Sequence, residues 1–162
     1  NEKITINPGD IMVSIRNMDT IIFLDKNSLN IKWYVCCTFH RQHSPRINNR
    51  NNLVLFDNLG SLYFSKISEI NLFNKRILGS FYGQINNFGK KELFFSKSRG
   101  ILELNDDKIL ISSTNQNIIF QLNCNGDYLS PKCKSKELIQ TNSGPTFAKF
   151  IKKNDYKFLK NY

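Results

Sequence analysis

Both histidines of the chain, His40 and His43, stand three residues apart within FHRQHSPRINNRNNLVLFDN, residues 39–58, beside Arg41, Gln42 and Arg46. Imidazole is a competent nucleophile and leaving group near neutral pH, and the guanidinium fork suits oxyanions, so this cluster has the chemistry of group transfer or anion binding. Pro45 argues against a helix, and the segment reads as a loop or strand end feeding the apolar run 53–56. His43 is the candidate catalytic residue, and His40, three residues earlier and so on the opposite side of an extended chain, is expected to face away from the site. Arg16, Asn17, Arg41, Gln42, Asn58 and Arg99 are the candidate substrate-binding groups. Some also have a plain structural reading: His43 as a loop histidine satisfied by backbone, Arg16 and Asn17 as a capped strand end, and Asn58 with Asp57 as a turn.

Other chemistries find less to work with. Cys36, Cys37, Cys124 and Cys133 have no zinc-type spacing, so neither metal nor cofactor is expected. Cys124 and Cys133 flank a Gly-containing turn; buried free thiols are the favoured reading and a disulfide the other. Cys36 and Cys37 follow a strand, whose alternation sends neighbouring side chains to opposite faces. Gly-rich phosphate loops and Ser-His-Asp arrangements are absent, and Asp57 has no second carboxylate from which to split its pKa.

The elements that position these residues are strands. The chain is rich in Asn, Ile and Phe and 40% hydrophobic, which favours strands and turns over helices. Three similar units recur. The first has strands near 10–15, 20–25 and 30–35, with Trp33 in the packed face; the second near 52–56, 64–71 and 75–81; the third near 107–112, 117–123 and 127–129. The starts at Ile11, Leu53 and Ile109 lie about 40 to 55 residues apart, near the spacing of four-stranded propeller blades. The fourth strand of each blade is expected in the short segment before the next unit, at Phe39 and 42–46 and at 99–104, and this innermost strand lines a propeller's channel. A further strand is expected at 146–151. The fold class is therefore all-β, a β-propeller fragment of about three to four blades of antiparallel strands. Residues 1–162 read as a single partial propeller domain with a basic, partly irregular tail at 131–162, and Lys132, Lys134 and Lys136 are expected in an exposed connector.

The string Gln42-His43-Ser44-Pro45, the Asn-rich turn at 48–52 and the following Leu-Val-Leu-Phe-Asp-Asn resemble the signature of bacterial arylsulfotransferases. Further similarity lies at Gly9 to Asn17, at Phe94-Phe95-Ser96 and at Arg99-Gly100, covering roughly residues 9–125. The resemblance implies a six-bladed propeller of which this is the C-terminal part, with the remaining blades needed to close the ring. It also implies a periplasmic or other extracytoplasmic location and sulfuryl transfer between phenolic compounds, with a phenolic sulfate ester as substrate and His43 a supporting channel residue. The chain departs from the family where Leu59-Gly60-Ser61 follow the strand in place of an Arg, with Lys66 the nearest cation, and where no histidine follows His43. A non-catalytic propeller that binds a ligand or protein partner is the alternative.

The net charge of +10 does not point to nucleic acid, because much of it sits in the tail, where eight Lys face Glu137 and Asp155. No nucleic-acid-binding motif accompanies it. No apolar run approaches the length of a membrane-spanning helix.

Overall fold

The computed structural model describes residues 5–61, 64–85, 91–93, 100–105, 108–125, 127–130, 132–143, 145 and 148. Ile11–Ile15 (β1), Thr20–Leu24 (β2) and Ile31–Cys36 (β3) form an antiparallel sheet in the order of the chain. His43–Ile47 (β4), Asn52–Ser61 (β5), Phe64–Asn71 (β6) and Ile77–Phe81 (β7) form a four-stranded sheet of the same kind. A hairpin of Gly83–Ile85 (β8) and Lys91–Leu93 (β9) leads to the last sheet, Gly100–Asn105 (β10), Lys108–Ser113 (β11), Ile118–Asn123 (β12) and Lys134–Gln140 (β13). The fold is all-β, an open series of propeller-type blades. The segments before the second and third units, expected as the fourth strands of the preceding blades, are instead the first strands, β4 and β10, of the sheets that follow, because they pair with β5 and β11. These two strands pack beside each other, and β4 also touches β1.

The repeats are equivalent down to their turns. The 3-10 turn Arg16–Met18 ends at Asp19 in the left-handed region, φ 48°, and Thr114–Gln116 ends at Asn117, φ 57°. Asp and Asn tolerate that conformation better than other side chains with a Cβ. Just after the third strand of each unit, the amide of Cys37 bonds to the Asp19 carbonyl and that of Thr141 to the Asn117 carbonyl. The next turns match as well. Asp25 Oδ1 accepts the amides of Asn27 and Ser28, as Asn71 Oδ1 accepts those of Phe73 and Asn74.

Packing explains the unbroken apolar run in β5. Leu53 and Leu55 face one way, onto Ile21, Phe23, Trp33 and Val35 of the first sheet. Val54 and Phe56 face the other way, onto Leu102, Ile109, Ile111, Phe120 and Leu122 of the last. A strand covered on both sides shows continuous rather than alternating hydrophobicity. Each large side chain so buried contributes about 1.5–3 kcal/mol. Trp33 adds a directional tie, its indole N–H donating to the Leu72 carbonyl at 2.7 Å.

A polar cluster and close glycine contacts join the sheets. Glu69 in β6 is fully buried and receives Asn48 Nδ2 at 2.8 Å, Arg50 Nη2 at 2.9 Å, Asn52 Nδ2 at 2.9 Å and the Leu129 amide at 3.2 Å. The Leu129 bond reaches from the second blade to the connection before β13. Gly79 lets β7 approach that same connection, because a Cβ there overlaps the Leu129 carbonyl, while a Cβ at Gly100 overlaps the Phe56 ring.

Several expectations are corrected. Asp57 and Asn58 do not form a turn: they lie inside β5 and are buried, because the strand continues through an irregular register to Ser61. The third strand of the last unit is β13, not 127–129, since the loop after β12 is longer than in the earlier units. Lys132, Lys134 and Lys136 are exposed as expected, but Lys134 and Lys136 pair with Asn123 and Gln121 as part of β13. Cys124 and Cys133 are joined in a disulfide, not buried free thiols, their Cα atoms 4.4 Å apart across the loop. The expected strand at 146–151 lies outside the described residues apart from Ala148.

Candidate functional site

The site is assembled on the loop of residues 37–42, which carries the chain from β3 to β4. Asp19, at the left-handed corner of the first blade, organises it. The Asp19 carbonyl takes the Cys37 amide at 3.0 Å, Oδ1 takes the Arg41 amide at 2.6 Å, and Oδ2 meets His40 Nδ1 at 2.9 Å. A second carboxylate holds the loop from below. Asp57 Oδ1 accepts the His40 amide at 2.9 Å, and the Leu59 amide returns a bond to the His40 carbonyl at 3.3 Å. Arg41 itself adopts φ 50°. A non-Gly residue with that φ is held there by its surroundings, here by the Asp19 carboxylate.

Around these bonds Asn17, Asp19, His40, Arg41 and Leu59 line an open groove of about 470 Å³. Its rim is polar and carries the Arg41 guanidinium, the His40 imidazole and the Asn17 amide against the single carboxylate of Asp19. Arg16 stands next to it, its Nη1 donating to Asn17 Oδ1 at 3.1 Å. Burial alone would push the Asp19 carboxyl up. The Arg41 amide and the His40 ring outweigh burial and hold it below the usual carboxylate range.

The structure distributes the expected site residues unevenly. Asn17 and Arg41 meet in the groove, with Arg16 alongside. His40, expected to face away from the site, lines the groove with them, because the left-handed backbone at Arg41 breaks the alternation that an extended chain would impose. His43 opens β4 opposite Phe56, half-buried, on the strand where the sheets converge; it does not line this groove. Gln42 is fully buried and is a clamp between blades, its Nε2 donating to Thr20 O at 2.9 Å, Ile15 O at 3.3 Å and Ser14 Oγ at 3.3 Å. Asn58 is 1% exposed, and its side-chain nitrogen and oxygen lack hydrogen-bond partners among the described residues. Arg99 lies outside the described residues. Glu103 reaches Arg46 across β10 and β4 at 3.7 Å.

Beneath the groove, Asp57 is buried and its Oδ2 lies 3.7 Å from Lys66 Nζ. Desolvation pushes its carboxyl up, against the opposing pull of the His40 amide and Lys66. Sequence reasoning missed Asp19 altogether. The signal was its position in the repeat, where Asp19 and Asn117 fall at equivalent turn corners.

No family model, curated protein or solved structure matches the chain significantly. No helix among the described residues is long and apolar enough to cross a membrane.

Proposed function

We propose that the chain is an arylsulfotransferase-like propeller segment that binds a phenolic sulfate ester in the groove of Asn17, His40 and Arg41 and takes part in moving its sulfuryl group to a second phenol. The observation that carries this reading is the convergence of Arg41, His40 and Asn17 on one open groove, built by the loop that bears the Gln42-His43 motif. Guanidinium, imidazole and amide donors suit the three oxygens of a sulfuryl group, and donors fixed before the ligand arrives need no reorganisation to stabilise developing charge. In the transfer the S–O bond to the donor's aryl oxygen breaks, its electron pair leaving with the donor phenolate. A new S–O bond forms to the acceptor, whose phenolic proton passes to the departing phenolate.

The test is the full chain with 4-nitrophenyl sulfate as donor and phenol as acceptor, read by 4-nitrophenolate release and phenyl sulfate formation. The expected result is saturable transfer, with KM raised by Arg41→Ala or His40→Asn. The absence of both transfer and donor binding would overturn the proposal. A second reading, a non-catalytic module that binds an oxyanion ligand, is favoured by Gln42 and Asn58, both buried in blade packing and so withdrawn from any substrate. Saturable binding without turnover would select it.

A further inference from the structure

Cys36 and Cys37 are both exposed, and their sulfurs lie 3.0 Å apart. That is about 1 Å longer than a covalent S–S bond. Neighbouring residues of a strand place their side chains on opposite faces, so this proximity requires a departure from strand geometry. Cys37 supplies it: β3 ends at Cys36, and Cys37 adopts φ 63°. The left-handed region is unfavourable for an ordinary residue unless its surroundings hold it there. Here the hold is the Cys37 amide bonded to the Asp19 carbonyl, while the Thr38 hydroxyl donates to the Cys36 carbonyl at 3.2 Å. The repeat-equivalent Thr141 makes the same amide bond without a thiol. The turn is thus part of the blade design, and the paired thiols are an addition to it.

We infer that Cys36 and Cys37 form a vicinal-dithiol redox site, oxidised as a unit to a ring disulfide by a small-molecule disulfide of the glutathione class. One thiolate attacks the small disulfide, forming a mixed disulfide and releasing the first small thiolate. The second cysteine, as thiolate, attacks the protein sulfur of that bond and releases the other. The two protein thiols lose two electrons, the reagent gains them as two thiols, and the two protons pass to the released thiolates. The sulfurs already adjoin, so closure outcompetes a second external attack by effective concentration alone. Cys124 and Cys133, already bridged to each other, take no part. The site opens the loop that bears His40 and Arg41, but its chemistry is independent of what the groove binds.

The full chain is treated with oxidised glutathione, free thiols are blocked with iodoacetamide, and the tryptic peptide 33–41 is weighed. The expected product has lost two hydrogens and carries neither blocking group nor glutathione. In Cys36→Ser and Cys37→Ser the remaining cysteine accumulates a stable glutathione adduct, about ten-fold or more above the level in the wild type. Two glutathione adducts on one wild-type peptide, adduct levels equal to those of the variants, or two blocked thiols after exhaustive oxidation would each overturn the inference.

Discussion

Asp19 Oδ2 and His40 Nδ1 meet at 2.9 Å, joining the corner of the first blade to the loop that enters the second. The other oxygen of the same carboxylate takes the Arg41 amide, so one side chain holds both the His40 ring and the Arg41 backbone at the groove. With Nδ1 engaged, Nε2 is the ring nitrogen left for a ligand.

Because the Asp19 carboxyl titrates below its usual range in the folded chain, its contribution is present above the unfolded pKa of about 4 and is lost as pH falls through the folded value. Amide exchange at Arg41 is expected to stay slow from neutral pH down to about 4 and to accelerate below it. Asp19→Ala should accelerate it at neutral pH and cost about 1–2 kcal/mol in urea unfolding. Unchanged Arg41 exchange in that variant would show that the carboxylate does not hold the loop.

Asp57 and Lys66 behave in the opposite sense. Burial raises the Asp57 pKa, so its contribution is complete at low pH and declines as pH rises through the folded value, leaving a buried carboxylate that depends on Lys66. Lys66→Met is expected to cost about 3–5 kcal/mol at neutral pH and less in acid. Adding Asp57→Asn should restore most of the loss. A double variant no more stable than Lys66→Met would mean that the pair is not coupled.

Glu69 ties Asn48, Arg50 and Asn52 of its own blade to the Leu129 amide of the connection in the next. Removing the carboxylate strands these donors in the interior. Glu69→Ala should cost about 3 kcal/mol or more, measured as a lower urea midpoint. A loss under about 1 kcal/mol would place the joint between the blades elsewhere.

Gly79 tests how closely the two blades approach. Gly79→Ala drives a methyl into the Leu129 carbonyl, a backbone atom that cannot swing away, and is expected to cost about 1–3 kcal/mol. A thermal unfolding temperature equal to the wild type's would contradict that packing.

The blade pattern was legible because period-2 strands and recurring turn residues are local signals: β1, β2, β6 and β12 fall within a residue or so of the expected spans. β13 was not, because its alternation is weak and its lysines read as solvated chain, while pairing to β12 is a long-range fact. Asp57 and Asn58 look like turn residues in isolation; only the packing of β5 between two sheets makes them buried strand. Arg41 and Asn17, expected as binding groups from their charge and chemistry, both line the groove. His40 was misplaced because alternation was assumed through a residue with positive φ. Cys36 and Cys37 were assigned to opposite faces for the same reason.

The groove of Asn17, His40 and Arg41 as an aryl sulfate site is tested most directly by following the ring signals of the chain's two histidines by NMR during titration with 4-nitrophenyl sulfate, with phenol, uncharged at neutral pH, as control. The His40 signals should move along a saturable curve with the sulfate ester and stay in place with the phenol, and Arg41→Ala should weaken the curve about ten-fold or more. His40 signals that ignore the ester, or that respond equally to the uncharged phenol, would contradict it.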